Sequence, residues 1–162
     1  MKGMTLIVKT VTRWVKVFIF LYGIYLTITG HLTPGGGFAG GVVIACSYIL
    51  LTLAYGREFA LKNLSLGKAS VFDSSGVLLF LIVALLGIGF GGIFFANFLQ
   101  ARYPGEEFAL FSSGTIPIYN IAILLKVGAS LFNVFVILSI LRIVVEKDGS
   151  KKMVAEGDRE EE

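Results

Sequence analysis

Lys126 is the residue whose position demands most of its surroundings. It lies within the apolar run IPIYNIAILLKVGASLFNVFVILSI, roughly 15 Å from the start of that run at a helical rise of 1.5 Å per residue. That depth places its ammonium group near the middle of any bilayer the run crosses. A lysine there costs about 2.5–3.5 kcal/mol on insertion scales, so it must face protein or a water-filled cavity. Tyr119, Ala122, Ser130 and Asn133 fall within about 40° of it on a helical wheel, because offsets of four and seven residues return to one face. Two chemistries suit this narrow polar stripe. In one, Lys126 exchanges protons on an ion path, with Ser130 and Asn133 as its polar lining. In the other it is a buried charge paired with a carboxylate of another subunit, since the eleven Asp and Glu residues lie in loops or the tail, apart from Asp73 near the entrance of the third span. Both readings require a partner.

A second group surrounds the string HLTPGGGFAGG, from His31 to Gly41. His31 is the one histidine. It stands beside a tight hairpin, where it serves as a cap or turn residue or as a station for protons or cations. With no second ligand nearby, a metal site is not expected. Gly35, Gly37 and Gly40 match G-x-G-x-x-G, but the dinucleotide motif needs a preceding strand and a later acidic residue, and this string lies between two apolar runs. The physical reading is that Pro34 closes the exit from one helix and Gly35, Gly36 and Gly37 let the next begin at close quarters. Gly37, Gly41 and Ala45 then form a small-residue stripe on which another helix can pack, and Ala84, Gly87 and Gly91 repeat the device. Phe38, interrupting the glycines, is bulky enough to gate an ion path past exposed amide groups, and Gly40 and Gly41 complete the hairpin signature.

The elements that must position these residues follow from composition. Of 162 residues, 56% are hydrophobic and 15% charged, and the charges avoid four long stretches. A soluble domain of this size cannot hide so much apolar surface, whereas a bilayer core roughly 30 Å thick takes about 20 apolar residues per helix. The spans are expected at about Trp14 to Thr29, with an amphipathic start from Leu6, at Gly37 to Tyr55, at Gly76 to Leu99, and at Ile116 to Ile143. The charged stretch from Gly56 to Ser75 reads as a connection, and a second polar loop from Gln100 to Thr115 carries Arg102, Glu106 and Glu107. Residues 146–162 form a charged tail expected to be poorly ordered. The fold class is therefore all-α integral membrane with four transmembrane helices, residues 1–145 forming the membrane domain.

Charge sets the orientation. Twelve of the fourteen Lys and Arg residues flank the spans on the side that holds both termini, and the opposite side has Arg102 alone. Both termini are therefore expected in the cytoplasm, with the chain in the cell membrane. The basic residues do not form a patch with interleaved aromatics, so the net charge of +3 points to no nucleic acid. The single cysteine, Cys46, excludes an intrachain disulfide and a thiolate metal cluster.

The string PGGGFAGG after His31 resembles the signature of the B-type subunit of Mrp multisubunit sodium/proton antiporters, the MnhB family. The string SGTIPIYNIAILLKVGASL from Ser113 resembles the last helix of that family in the form found in respiratory membrane-bound hydrogenases of archaea. The resemblance covers about Val11 to Val144. It implies a four-helix subunit of an antiporter-like hetero-oligomer related to respiratory complex I, in which small and large membrane subunits together move Na⁺ and H⁺. The antiporter branch, as the resemblance implies, carries an aspartate where this chain has Asn120 and lacks a lysine at Lys126. The hydrogenase branch, driven by electron transfer from ferredoxin to protons, fits this helix better, and a sulfur-reducing complex shares the module. Asn120 thereby joins Lys126, Ser130, Asn133 and His31 as an ion-path candidate. No cofactor is expected in this chain, since nothing in it ligates a flavin, iron–sulfur or nickel centre.

Overall fold

The computed structural model describes residues 4–104, 112–145 and 151–155. Its elements are α1 (Leu6–Ile28), α2 (Gly36–Tyr55), α3 (Arg57–Asn63), α4 (Leu66–Gly91), α5 (Phe98–Arg102), α6 (Ile116–Ile140), β1 (Leu141–Val145) and β2 (Lys151–Ala155). Four of these helices are long and apolar enough to cross a membrane, namely Leu6–Ile28, Gly36–Tyr55, Leu66–Gly91 and Ile116–Ser139. The expected count of four spans holds. With four crossings the start of α1 and the end of α6 lie on one side of the bundle, called here the terminal side.

By packing, the helices follow the order α1, α2, α6, α4: α2 and α6 form the central pair, α1 leans on α2 and α4 on α6. Backbones meet closely at each seam because glycine removes the side chain there. A Cβ on Gly23 of α1 would lie 2.7 Å from Cγ1 of Ile44, one on Gly41 of α2 would lie 2.9 Å from Cβ of Val127, and one on Gly76 of α4 would lie 2.7 Å from the Ala122 carbonyl oxygen. The outward faces are apolar: Trp14, Phe18, Leu78 and Phe90 are all exposed, as lipid-facing residues must be. Phe132 and Val136, both fully buried, form the core at the terminal side with Ala69 and the surrounding Tyr48, Leu61, Leu64, Leu66 and Phe135.

The structure departs from the expected boundaries at three places. α4 starts at Leu66, ten residues before the expected Gly76, because Ser65 caps it: its hydroxyl accepts a hydrogen bond from the Lys68 amide at 3.4 Å. The expected connection is thus mostly helical, as α3 and the first turns of α4. At its far end α4 stops at Gly91 rather than Leu99, and Gly92 closes it at a φ of 74°. The chain then folds back, so that Gly87 and Gly91 face Ala96, and the Phe95 amide donates to the Ala84 carbonyl at 3.4 Å. The Ala84–Gly87–Gly91 stripe therefore receives the following turn of its own chain and not another helix. Third, α6 ends at Ile140, and where helix and then a poorly ordered tail are expected, β1 and β2 pair antiparallel with Leu141 opposite Ala155 and Val145 opposite Lys151. The run Ile143, Val144 and Val145 favours extended backbone because branching at Cβ crowds a helix. α1 begins at Leu6, as the amphipathic start expected there requires, and Lys9, Arg13 and Lys16 lie within it. Glu106, Glu107 and the remainder of the charged tail lie outside the described residues.

Substituting the α4–α6 seam tests this packing. Gly76→Val should destabilise the purified chain by about 1–3 kcal/mol through overpacking. Gly67→Ala, at a position with nothing within 4 Å, should be neutral or stabilising by up to about 1 kcal/mol. Thermal unfolding in detergent followed by circular dichroism separates the two, and equal melting temperatures would contradict the seam.

Candidate functional site

Lys126 has its partner within the chain. Its Nζ lies 2.5 Å from Oδ1 of Asp73, and the Ser130 hydroxyl donates to the same oxygen at 2.6 Å. The expectation that Lys126 must look to another subunit for a carboxylate is corrected by the early start of α4. Asp73 stands seven residues beyond Leu66, about 10 Å along the helix axis, well inside the span. It is one turn from Gly76, and a Cβ there would lie 2.7 Å from the Lys126 amide nitrogen. The missing side chain lets α4 approach α6 closely enough for a short carboxylate to reach the ammonium group. A sequence signal exists: Ser65 is a good N-cap residue three positions before Lys68, and an Asp three residues before a Gly shares its helical face.

The pair is not sealed. The Lys126 side chain is 44% exposed and that of Asp73 28% exposed. An ion pair so placed cannot rest against hydrocarbon without a large desolvation cost, since neither charge has its full set of hydrogen bonds. Ser130 therefore takes the place expected of it, beside Lys126. Asn133 does not: it lies a turn farther along α6, and its buried Oδ1 has no hydrogen-bond partner among the described residues. Tyr119, also on the expected stripe, is drawn into an aromatic cluster with Phe80 at 4.9 Å and Phe95 at 5.6 Å between ring centroids.

Asn120 has a different task. Gly35, at the N-cap of α2, has a φ of 132° and Gly36 a φ of 58°, values that admit glycine and strain other residues. A glycine cap offers no side-chain acceptor to the free amides of the first turn. Asn120 supplies one from across the seam, its Oδ1 accepting from the Gly37 amide at 3.3 Å while the residue is 9% exposed. Gly37 must lack a side chain because a Cβ there would collide with the Asn120 backbone. The hairpin thus works as a helix start capped from another helix, and an aspartate at 120 would do the same with a full negative charge. Gly40 makes the corresponding close approach to Thr27 and Gly23 of α1. His31 is half-buried at the outer turn, Pro34 is exposed there, and Phe38 is 63% exposed, so its bulk projects from the bundle and fills no passage inside it.

Across the same end, Asn97 ties α5 to the start of α6. Its Oδ1 accepts from the Thr115 amide at 3.0 Å and the Thr115 hydroxyl at 3.2 Å, and its Nδ2 donates to the Ser113 carbonyl at 3.0 Å. This anchor sets where α6 begins and hence the height of Lys126. Among the described residues, no group of three or more His, Cys, Asp or Glu side chains lies close enough together to hold a metal ion.

The pair makes a prediction in stability. Asp73→Asn or Lys126→Met alone should lower the melting temperature by leaving one charge unmatched, and the double variant should recover part of the loss. The expected coupling is on the order of 1–3 kcal/mol, and strictly additive losses in a double-mutant cycle would show that the two do not interact.

Residues 7–133 match a family described as a domain related to the MnhB subunit of Na⁺/H⁺ antiporters. An uncharacterized protein of Methanocaldococcus jannaschii is 33% identical over 149 residues, 88% of this chain and 55% of that protein. A putative antiporter subunit mnhB2 of Staphylococcus aureus strain Newman is 28% identical over 139 residues, covering 86% of this chain and 97% of that subunit. Among solved structures, a chain of the membrane-bound sulfane sulfur reductase, an archaeal respiratory membrane complex, superposes with a TM-score of 0.67 at 30% identity, over 82% of this chain and 59% of that one. The chain thus spans little more than half the length of the first and last of these relatives. It is a multi-pass protein of the cell membrane. Since the family match takes in α1, α2, α4 and most of α6, and with them both the hairpin and the Asp73–Lys126 pair, the chain belongs to the family of domains related to the MnhB subunit of Na⁺/H⁺ antiporters.

Proposed function

We propose that this chain is a non-catalytic subunit of a multisubunit Mrp-like module that exchanges Na⁺ for H⁺ across the cell membrane, and that Asp73, Lys126 and Ser130 form a station on its ion path. The observation that carries this reading is an intramembrane ion pair open on one flank. Such a pair is neutral overall. If Na⁺ enters and takes Asp73 oxygens as ligands, the site gains one positive charge, which a low-dielectric interior opposes. Release of one proton from the Lys126 ammonium restores neutrality, and the reverse follows when Na⁺ leaves. Ser130 holds the carboxylate while the ammonium group is displaced. The open flank is where a neighbouring subunit's polar groups or a water file would meet the pair.

The termini face the cytoplasm in this reading, by the charge asymmetry of the flanks. The parent complex is redox-driven: the last helix resembles that of archaeal membrane-bound hydrogenases, with hydrogen evolution from ferredoxin carried out by other subunits. A sulfur-reducing complex is the second reading, favoured by the likeness to a chain of the sulfane sulfur reductase. A plain antiporter is the third, favoured by the likeness to mnhB2.

Two experiments test these statements. Purification of the native complex through a tag on this chain, with mass spectrometry and assays of hydrogen evolution and sulfur reduction, should recover nickel–iron hydrogenase subunits with hydrogen-evolving activity. Recovery of the chain alone from membranes that keep other complexes intact would overturn the subunit reading. In the reconstituted complex, Lys126→Met and Asp73→Asn should each reduce Na⁺-dependent proton movement at least about tenfold, the scale of removing a functional proton-transfer group, with assembly unchanged. Transport at the native rate in the assembled Lys126→Met complex would reduce the pair to a structural tie.

A further inference from the structure

Within its membrane span, α4 carries polar groups on its outward surface. Ser70 and Ser74 are exposed and stand about 6 and 12 Å along the helix from Leu66, with Asp73 between them at about 10 Å. A serine inside a helix commonly returns its hydroxyl to the carbonyl three or four residues earlier, as Ser75 does to that of Phe72 at 2.9 Å. Among the described residues the hydroxyls of Ser70 and Ser74 have no hydrogen-bond partner. Asp73 engages one of the three donors on Nζ of Lys126, whose side chain is 44% exposed.

These serines belong to a longer ridge. Gly67, Ser70, Ser74, Val77 and Leu81 are all exposed and alternate in steps of three and four, which places them on one face of α4 over about 21 Å. Other faces of the helix are already used. Gly76 meets α6, and Phe72, on the far side of the helical wheel from the ridge, borders an apolar cavity with Ile44 and Gly128. A Cβ built on Gly67 meets nothing within 4 Å.

Steps of three and four are the spacing of a seam between two helices, and the small residues of the terminal-side half leave room for a second backbone. Hydrocarbon offers no acceptor to two hydroxyls and an ammonium group. Water alone suits the polar half of the ridge and not Val77 and Leu81, which continue it as apolar surface. A second copy of this chain, related by a twofold axis along the membrane normal, would bring two Lys126 ammonium groups to one level of the same seam. Because the Asp73–Lys126 pair is neutral, a partner's carboxylate would leave a net charge in the membrane, whereas a neutral oxygen would not. We infer that this ridge seats a transmembrane helix of a partner subunit that presents neutral acceptors, the side-chain oxygens of Asn, Gln, Ser or Thr, to Ser70, Ser74 and Lys126. This rests on the reading of the chain as a subunit, and it names the face its neighbour takes and the chemistry the neighbour brings. In the proposed exchange the same oxygens are ligands for Na⁺ beside Asp73 and Ser130, standing in for part of the ion's hydration shell.

Photo-cross-linking in the native complex tests this, with p-benzoylphenylalanine in place of Leu78 or Leu85, exposed residues at the edge of the ridge. The expected product joins this chain to a spanning helix of another subunit that has Asn, Gln, Ser or Thr within a turn of the level of Ser74. Ser74→Leu, which fills the seam, should lower recovery of that subunit with the tagged chain at least about tenfold, equivalent to 1.4 kcal/mol. Ser74→Thr should keep it, and so should Val71→Leu, at an exposed position beside the ridge. If Ser74→Leu does not accumulate, the cross-link from Leu85 with Ser74 intact decides. Cross-links to lipid alone, to a second copy of this chain or to a helix without a neutral acceptor at that level would overturn the assignment, as would equal loss in the Ser74→Leu and Val71→Leu variants. Any of these in an intact complex leaves the subunit reading standing, whereas recovery of the chain alone would overturn both.

Discussion

Where α2 meets α6, two apolar helices come together with almost nothing between their backbones, and the remaining elements are placed from that seam. It is possible because Gly37 and Gly41 present no side chain to Asn120, Leu124 and Val127. In a bilayer there is no hydrophobic gain from pairing two helices that lipid already solvates, so close van der Waals contact and hydrogen bonds must supply the association. The amide of Gly37 reaching Asn120 adds one such bond, at the end of α2 where the backbone lacks a cap of its own. The same contact therefore packs two helices and completes one of them.

From this seam the positions of the candidate site residues follow. α6 is fixed in depth by Asn97 and Thr115 at one end and by Phe132 and Val136 at the other. α4 then lies against α6 at Gly76, and its own start is set by Ser65. Only with both helices at these heights does the carboxylate of Asp73 meet the ammonium group of Lys126. α1 is held on α2 through Gly23, Gly40 and Thr27 and pinned at the terminal side by the Tyr55 hydroxyl, which donates to the Lys9 carbonyl at 2.9 Å. The ion pair is a result of this arrangement, in which α2 and α6 form the central pair and α1 and α4 flank it.

The open flank of the ion pair bears on the proposed function because an ionised pair is stable in a membrane only when something other than lipid covers it. A fully enclosed pair would be a static tie, while a pair with one uncovered side can be approached by another charge. The same geometry explains why Lys126 is compatible with the span at all: insertion cost is offset within the chain by Asp73 and Ser130, and the Asp73–Lys126 pair is neutral as a unit.

What the sequence determined by itself is the part governed by local chemistry. Apolar run length against bilayer thickness set the number of spans, the glycine string marked the hairpin, and the isolated charge of Lys126 marked the helix that carries a site. PGGGF and the last helix carried the family. Helix ends were less legible, because Ser65, Gly92 and the branched run after Ile140 act through cap and turn geometry that hydropathy does not record. The partner of Lys126 was decided by tertiary structure, the N-cap at Ser65 and the spacing of Asp73 to Gly76 being only a local hint. Asp73 and Lys126 are 53 residues apart, and whether they touch depends on the register of α4 against α6, which a glycine contact sets and no periodicity encodes. For the same reason Asn120 reads along the chain as an ion-path candidate, yet in the fold it is the cap of a helix to which it is joined only through space.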